Sequence, residues 1–323
     1  MLVLRLPSMP PLFAPQWPLA VTFPVSSLGF YLLYYALQPL AARQHRWPDI
    51  NKRIFRQNIC ACVHTYLLML LLVIVLIREG TELQSAGLLP YYSPLAYVAV
   101  GMSLGYMSMT LPWSLRMYYG NEQERNATRP TLIVHHFFVV LAELVYVLTL
   151  TSPWHGLLAF VFFEFSNLFL MPHHLMTQYG YHGKLHFING LLFFLSCTLV
   201  RVGGCVVLGV FYIVDVVSID VTAVGGTQRD ADTAAASDYG AGLFVALSLS
   251  LISFWVILAL SCYWYAKDVL SEVHKEFKMS FGETYWRRCC PCAPKFARFT
   301  QRVLSHLRSK AGSGSASAEN TRA

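Results

Sequence analysis

The chain is predicted to be an all-α, polytopic transmembrane helical bundle of about seven spans, with its N-terminus lumenal or extracellular and its C-terminus cytosolic. Three observations predict it. Apolar residues fill 55% of the 323 positions and Asp, Glu, Lys and Arg only 13%, against about 25% charged residues in a soluble domain. Seven stretches approach the roughly 20 apolar residues needed to cross a bilayer core, and the polar intervals between them are too short for a soluble domain. Finally, Lys and Arg collect on alternate loops.

The stretches are 18–41, 56–77, 90–113, 131–151, 153–172, 187–214 and 241–266. The first follows MLVLRLPSMPPLFAPQW, which lacks an A-x-A-like cleavage site and runs straight into the span, so a signal-anchor role is expected. The third carries Gly101 and Gly105 as a G-x-x-x-G face suited to close helix packing. Met102, Met107 and Met109 beside it offer either an adaptable lipid-contacting wall or ordinary packing. The sixth is over-long, and Gly203-Gly204 is the place where it would kink or divide. Division would make the count even. The organisation expected is an N-terminal segment with the first span (1–50), a transmembrane domain (51–267) and a basic cytosolic tail (268–323).

Charge supports the odd count. The first, third and fifth loops and the tail hold Arg43, Arg46, Lys52, Arg53, Arg56, Arg116, Arg125, Arg129, Lys184 and every cation from Lys267 onward, and the opposite side has only Arg5, Arg78 and Arg229. By the positive-inside rule that places the tail in the cytosol. The sequon Asn126-Ala127-Thr128 then lies on the cytosolic side and should stay unmodified. Of the eight cysteines, Cys60, Cys62, Cys197, Cys205 and Cys262 lie within spans as packing residues. Cys289, Cys290 and Cys292, beside basic residues, suit reversible palmitoylation better than a metal site. Phe296, Phe299, Val303, Leu304 and Leu307 fall at helical spacing among cations, the pattern of an interfacial helix or of a solvated tail. Residues 311–323 and the loop VGGTQRDADTAAASD are too polar and small to build a core.

Function is sought where ionisable residues enter hydrocarbon, because a charge at a helix centre costs about 2.5–3.5 kcal/mol on translocon-type scales. The fourth span holds His135, His136 and Glu143. His136 and Glu143 share a stripe roughly 10 Å apart along the axis. His135 points about 100° away, so one imidazole can bond a neighbouring helix while the other faces a cavity. The fifth span adds Glu164 and Asn167, and Arg201 is the one cation deep in a span, which makes it the candidate partner for Glu164. That contact would be an architectural clamp or part of a catalytic site. His173, His174, His182 and His186 offer metal-ligand chemistry, but they sit at a membrane edge without a full set of histidine boxes, so no metal is expected.

The chain resembles the TLC-domain family of TRAM translocation proteins, longevity-assurance ceramide synthases and the ceroid-lipofuscinosis membrane protein. The likeness runs from about Asn51 to Lys267 and rests on Asn58 and His64, Gly105-Tyr106, His135-His136, Glu164-Phe165-Ser166, Asn189-Gly190 and Val200-Arg201. It is closest to the TLC-domain-containing proteins of lipid homeostasis. The resemblance implies a bundle around a lipid-sized tunnel, with the histidine pair and Glu164 facing inward and Arg201, Asn167, Ser166 and Asn189 about the cavity. It implies residence in the endoplasmic reticulum or plasma membrane. Two functions follow as expectations. One is binding or handling a membrane lipid or fatty acyl chain without a cofactor. The other is ceramide synthase-like N-acyl transfer from acyl-CoA, with His135 or His136 as acid/base or acyl acceptor and Glu143 or Glu164 orienting it. Against the second, the aspartates that follow the histidine pair in ceramide synthases are missing, since no Asp follows His136 before Asp215. No nucleic-acid partner is expected; a homo-oligomer stays open.

Overall fold

The computed structural model describes residues 17–86, 92–127, 130–149, 153–218 and 233–269. Every described element is helical: α1 (Trp17–Ala36), α2 (Gln38–Ala42), α3 (Asp49–Ala86), α4 (Pro94–Tyr118), α5 (Glu122–Ala127), α6 (Pro130–Thr149), α7 (Pro153–Phe165), α8 (Asn167–Gln178), α9 (Lys184–Ser196), a π-helical segment (Cys197–Gly204), α10 (Cys205–Ser218), α11 (Thr233–Trp264) and a π-helical turn (Tyr265–Val269). Seven of the described stretches are long and apolar enough to cross a membrane: Pro18–Ala42, Asp49–Ala86, Pro94–Tyr118, Pro130–Thr149, Pro153–Gln178, Lys184–Ser218 and Phe244–Lys267. The chain forms two compact units, Met1–Cys262 and Tyr263–Ala323. In the second, Lys267 Nζ stands 5.5 Å from the centroid of the Tyr263 ring. All that follows concerns the first.

Proline punctuates the spans in two ways. Pro94, Pro130 and Pro153 open α4, α6 and α7, where the missing N–H has no intrahelical acceptor to serve. Ser93 caps α4, its Oγ accepting the Ala96 N–H at 2.9 Å. Inside helices, proline instead releases the carbonyl four residues back. Pro112 frees Ser108, whose carbonyl accepts from the Tyr31 hydroxyl at 3.2 Å. Pro172 frees Leu168, whose carbonyl accepts from Tyr66 at 3.0 Å. Pro112 and Pro172 thus each turn a lost helical bond into a bond between helices.

The third span, α4, is the most buried, and α1, α3 and α6 pack on it. The G-x-x-x-G face is where α1 approaches. A Cβ on Gly105 would come within 2.6 Å of Ser26 Cβ and 2.8 Å of the Ser27 backbone nitrogen, and one on Gly101 would overlap Thr22. Met102, Met107 and Met109 are buried in the main core with Leu68, Leu72 and Tyr106, so they pack the interior and do not form a lipid-contacting wall. A second core joins Phe163 of α7, Cys205 and Leu208 of α10, and Phe254, Ile257 and Leu258 of α11. The five described cysteines are free thiols.

The first, third and fifth loops gather at one end of the bundle. Arg53 pairs with Glu124 at 2.6 Å, Trp47 and Phe55 pack on Tyr179, and the Gln178 amide donates to the Asn51 carbonyl at 2.7 Å. The first, third and fifth loops, identified as basic in the sequence, therefore share one face, as alternating crossings require.

The count of seven spans stands, and one sequence expectation is corrected. The sixth span is not divided at Gly203-Gly204. It runs unbroken from Lys184 to Ser218 and takes up the glycine pair in its π-helical segment, where the wider turn keeps the backbone helical. The loop before the last span is shorter than its composition suggests, because α11 already begins at Thr233, where the run Ala234, Ala235 and Ala236 favours helix. Residues 1–16, Cys289, Cys290, Cys292 and the proposed interfacial helix from Phe296 lie outside the described residues, as do residues 311–323.

Candidate functional site

The polar residues inside the bundle form three groups. The first surrounds Arg201. The fifth span breaks its helix at Ser166, between α7 and α8, and the π-helical segment of the sixth span lies against α7. Two local departures from α geometry thus free Ser166 and Arg201 to face each other. Arg201 Nη1 donates to Ser166 Oγ at 3.2 Å and to Asn167 Oδ1 at 3.1 Å, and its Nε donates to Ser261 Oγ at 3.3 Å. The Asn167 amide then donates to Glu164 Oε2 at 3.0 Å, and Thr65 Oγ1 donates to the same oxygen at 3.3 Å. The direct Glu164–Arg201 contact expected from the sequence is not made. Asn167 stands between the two charges, its oxygen toward the cation and its amide toward the carboxylate, and couples them through two hydrogen bonds.

The second group is an apolar cavity of about 120 Å³ lined by α3, α4, α6, α7, α10 and α11. Its walls include Leu72, Ala99, Phe160, Phe163 and Phe254, and its titratable residues are His135, His155, Glu164, Tyr146 and Tyr212. The space is below the roughly 300–1,000 Å³ typical of ligand pockets. Phe160, Phe163 and Phe254 contribute three aromatic rings to its wall.

The third group lies off this cavity. His136 and Glu143 are both buried, yet neither lines it. The two histidine rings diverge, with centroids 5.7 Å apart and planes at 51°. His136 is within electrostatic reach of His64, which stacks on Tyr106 at 4.1 Å, with Phe30 edge-on to both. Glu143 Oε1 accepts a short hydrogen bond from Ser103 Oγ of α4. Among the described residues, His64 Nε2, His136 Nδ1 and Glu143 Oε2 are buried without a hydrogen-bond partner. The histidine pair is thus split: His135 belongs to the cavity and His136 to the α3–α4 interface.

Asn189 is placed for packing, its amide donating to the Phe169 carbonyl at 2.7 Å and tying α9 to α8. Gly190, beside it, leaves room for the His173 ring, which a Cβ would meet at 3.3 Å. His173 stacks on His186 with centroids 4.2 Å apart, His182 meets His186 edge-on at 5.3 Å, and His186 Nε2 lies 3.0 Å from Thr177 Oγ1. Among the described residues no three His, Cys, Asp or Glu side chains are grouped to hold a metal ion.

One pair escaped the sequence reading. His155, at the start of α7, donates from Nε2 to Asp215 Oδ2 at 3.0 Å and stacks on Tyr212 at 4.7 Å. The imidazole is buried and lines the cavity, while Asp215 is half exposed.

The residues that carried the family resemblance now have positions in space: His64 on Tyr106, Gly105 under α1, Ser166 on Arg201, Gly190 under His173. The family model TRAM_LAG1_CLN8, described as the TLC domain, matches residues 54–269. The chain belongs to the TLC-domain family. That match covers α3 to the π-helical turn after α11, and with the seven apolar helices it makes this an integral, multi-pass TLC-domain membrane protein. No curated protein and no solved structure matches the chain. Within this TLC domain, the cavity and the Arg201 relay both fall between the spans that the match covers.

Proposed function

We propose that this TLC-domain protein serves membrane lipid homeostasis by taking one acyl chain, or part of one, into the cavity beside His135, Glu164 and His155. The observation that carries this reading is the cavity itself. An apolar chamber among membrane-spanning helices, with few polar groups on its wall, fits a hydrocarbon chain whose carbonyl end meets the polar residues. The wall supplies the desolvated surface, and His135 and Glu164 supply hydrogen-bonding ends.

Acyl transfer in the manner of a ceramide synthase would need a histidine at the acyl carbonyl. His135 is the residue of the pair that lines the cavity, so in that alternative it is the acid/base or acyl acceptor, with Glu164 as the nearer choice to orient it and His136 in a packing role.

The experiment is photolabelling in membranes with a fatty acid that carries a diazirine along its chain, followed by mapping of labelled peptides. Label is expected on α7 and α11 around Phe160, Phe163 and Phe254, and Ala159→Phe, which fills the chamber, should remove most of it while the protein still folds. Label confined to the outer faces of α1 and α10, unaffected by Ala159→Phe, would overturn the reading. Incubating the same protein with labelled acyl-CoA and a sphingoid base separates binding from transfer, because N-acylated product lost in His135→Ala is expected only of the enzyme.

A further inference from the structure

We propose that the chain has a second ligand site, a basic and aromatic cleft at the loop end of the bundle, that binds the phosphate of an anionic phospholipid headgroup. It is independent of the acyl cavity and shares no lining residue with it.

The cleft has a volume of about 420 Å³, inside the range of ligand pockets. Arg53 and Arg56 from the start of α3 and Arg116 from the end of α4 line it, with Tyr31, Tyr34 and Tyr35 from α1. Its one carboxylate, Glu124, is already committed to Arg53 at 2.6 Å. Arg56 and Arg116 have no ion pair among the described residues, so two cations face the space without an anion.

Arg56 is also held in place before any ligand arrives. Its guanidinium lies over the Tyr34 ring at 4.2 Å, and its Nε is buried with no hydrogen-bond partner. A buried donor without an acceptor normally costs free energy. A phosphate oxygen in the cleft would supply the acceptor, and guanidinium is suited to bind phosphate through two parallel bonds.

The choice of a lipid headgroup over a soluble phosphate rests on where the cleft opens. The first span packs one side on α4 and leaves the rest of its surface exposed, with Tyr31 and Tyr35 exposed on it beside the cleft. Trp113 lines the α4 side. Tyrosine and tryptophan at the end of membrane-spanning helices mark the headgroup level. The cleft therefore opens sideways, at the depth where lipid phosphates lie, and the tails of a bound lipid would run down the apolar face of α1.

The test uses the full chain reconstituted in mixed phosphatidylcholine and phosphatidate bilayers, extracted in neutral detergent, with retained lipid measured by mass spectrometry. Wild type is expected to keep phosphatidate in excess of its share of the bilayer. Arg53→Gln/Arg56→Gln/Arg116→Gln should lose that excess by more than tenfold. Arg116→Gln alone, at an exposed side chain whose loss threatens no packing, should lose it by roughly fivefold, the factor expected for one cation near an anionic headgroup. Arg46→Gln, at the same end but outside the cleft, should leave it unchanged. Equal retention by wild type and Arg116→Gln overturns the site, and an equal loss in Arg46→Gln overturns it in favour of diffuse surface charge. Displacement of the retained phosphatidate by inorganic phosphate or coenzyme A at matched concentration overturns the headgroup assignment in favour of a soluble phosphate ligand.

Discussion

The groups around Arg201 and around Glu143 are both buried, both polar and both inside the span region, yet one is saturated and the other is not. Arg201 has four polar neighbours in reach directly or through Asn167, and the relay ends on Glu164. Glu143 has Ser103 on one oxygen and no hydrogen-bond partner on the other, and the buried imidazoles of His64 and His136 each keep a nitrogen without one. In a medium without water, hydrogen bonds strengthen and an unmet polar atom becomes costly. The saturated network holds helices together and presents only Glu164 to the cavity, whereas the unsaturated atoms keep hydrogen-bonding capacity for a water or a proton.

Breaking the saturated network should have the largest effect. Arg201→Met leaves Ser166, Asn167, Ser261 and, at one remove, Glu164 without their cation, and should lower stability by about 3–5 kcal/mol, the range for removing one member of a buried charged set. Thermal unfolding in detergent measures it. Because Asn167 carries the coupling, Asn167→Leu should cost nearly as much, and the double variant little more than either alone. Additive losses would mean that the relay does not act as a unit.

The next effect tests the frame that holds both groups. Gly105→Leu drives a side chain into α1 backbone at Ser27, and overpacking of this kind costs about 1–3 kcal/mol. Since α4 also carries Ser103, the variant should weaken the bundle without altering the Arg201 relay. Proteolysis that releases the first span while the rest stays protected would show it.

How much of this was legible in the sequence follows the same line. Span number and the shared face of the basic loops come from composition and charge, which act residue by residue and do not depend on which helices touch. The Gly101 and Gly105 packing face is visible because its spacing is local. Contacts between spans are another matter. A direct Glu164–Arg201 contact is what opposite charges in neighbouring spans suggest, and nothing in the chain indicates that Asn167, one turn from Glu164, takes the place between them. Residue types likewise do not reveal that His135 and His136 part company, because the neighbours that receive each ring come from α3, α4, α7 and α11. The His155–Asp215 pair had a usable signal. Alternating topology puts the start of the fifth span and the end of the sixth on the same side, so an acid and a histidine at those two positions are candidates for contact on connectivity alone.

The unsaturated group should respond in the opposite sense. Glu143→Gln keeps the size of the side chain and an oxygen for Ser103, while its amide adds a donor and removes the charge that burial penalises. Stability should stay level or rise by about 1 kcal/mol, in contrast to Arg201→Met. Ser103→Ala, which strips the carboxyl of its remaining partner, should instead cost about 1–3 kcal/mol. If Glu143→Gln proves as damaging as Arg201→Met, the carboxyl is a structural member of the same rank and the distinction between the two groups fails.

The smallest expected change is also the most informative about the cavity. Asp215 is half exposed, so its bond to His155 is open to solvent on one side and should add little to stability. Asp215→Asn is expected to leave thermal unfolding within experimental error. The His155 ring nevertheless lines the apolar cavity, and the acid fixes which of its nitrogens carries the proton. Asp215→Asn should therefore shift the labelling of α7 by the photoactivatable fatty acid, or its dependence on pH, without changing the fold. An Asp215→Asn protein that labels as wild type does across the pH range would make His155 part of the wall and nothing more, leaving His135 and Glu164 as the polar residues that meet the chain.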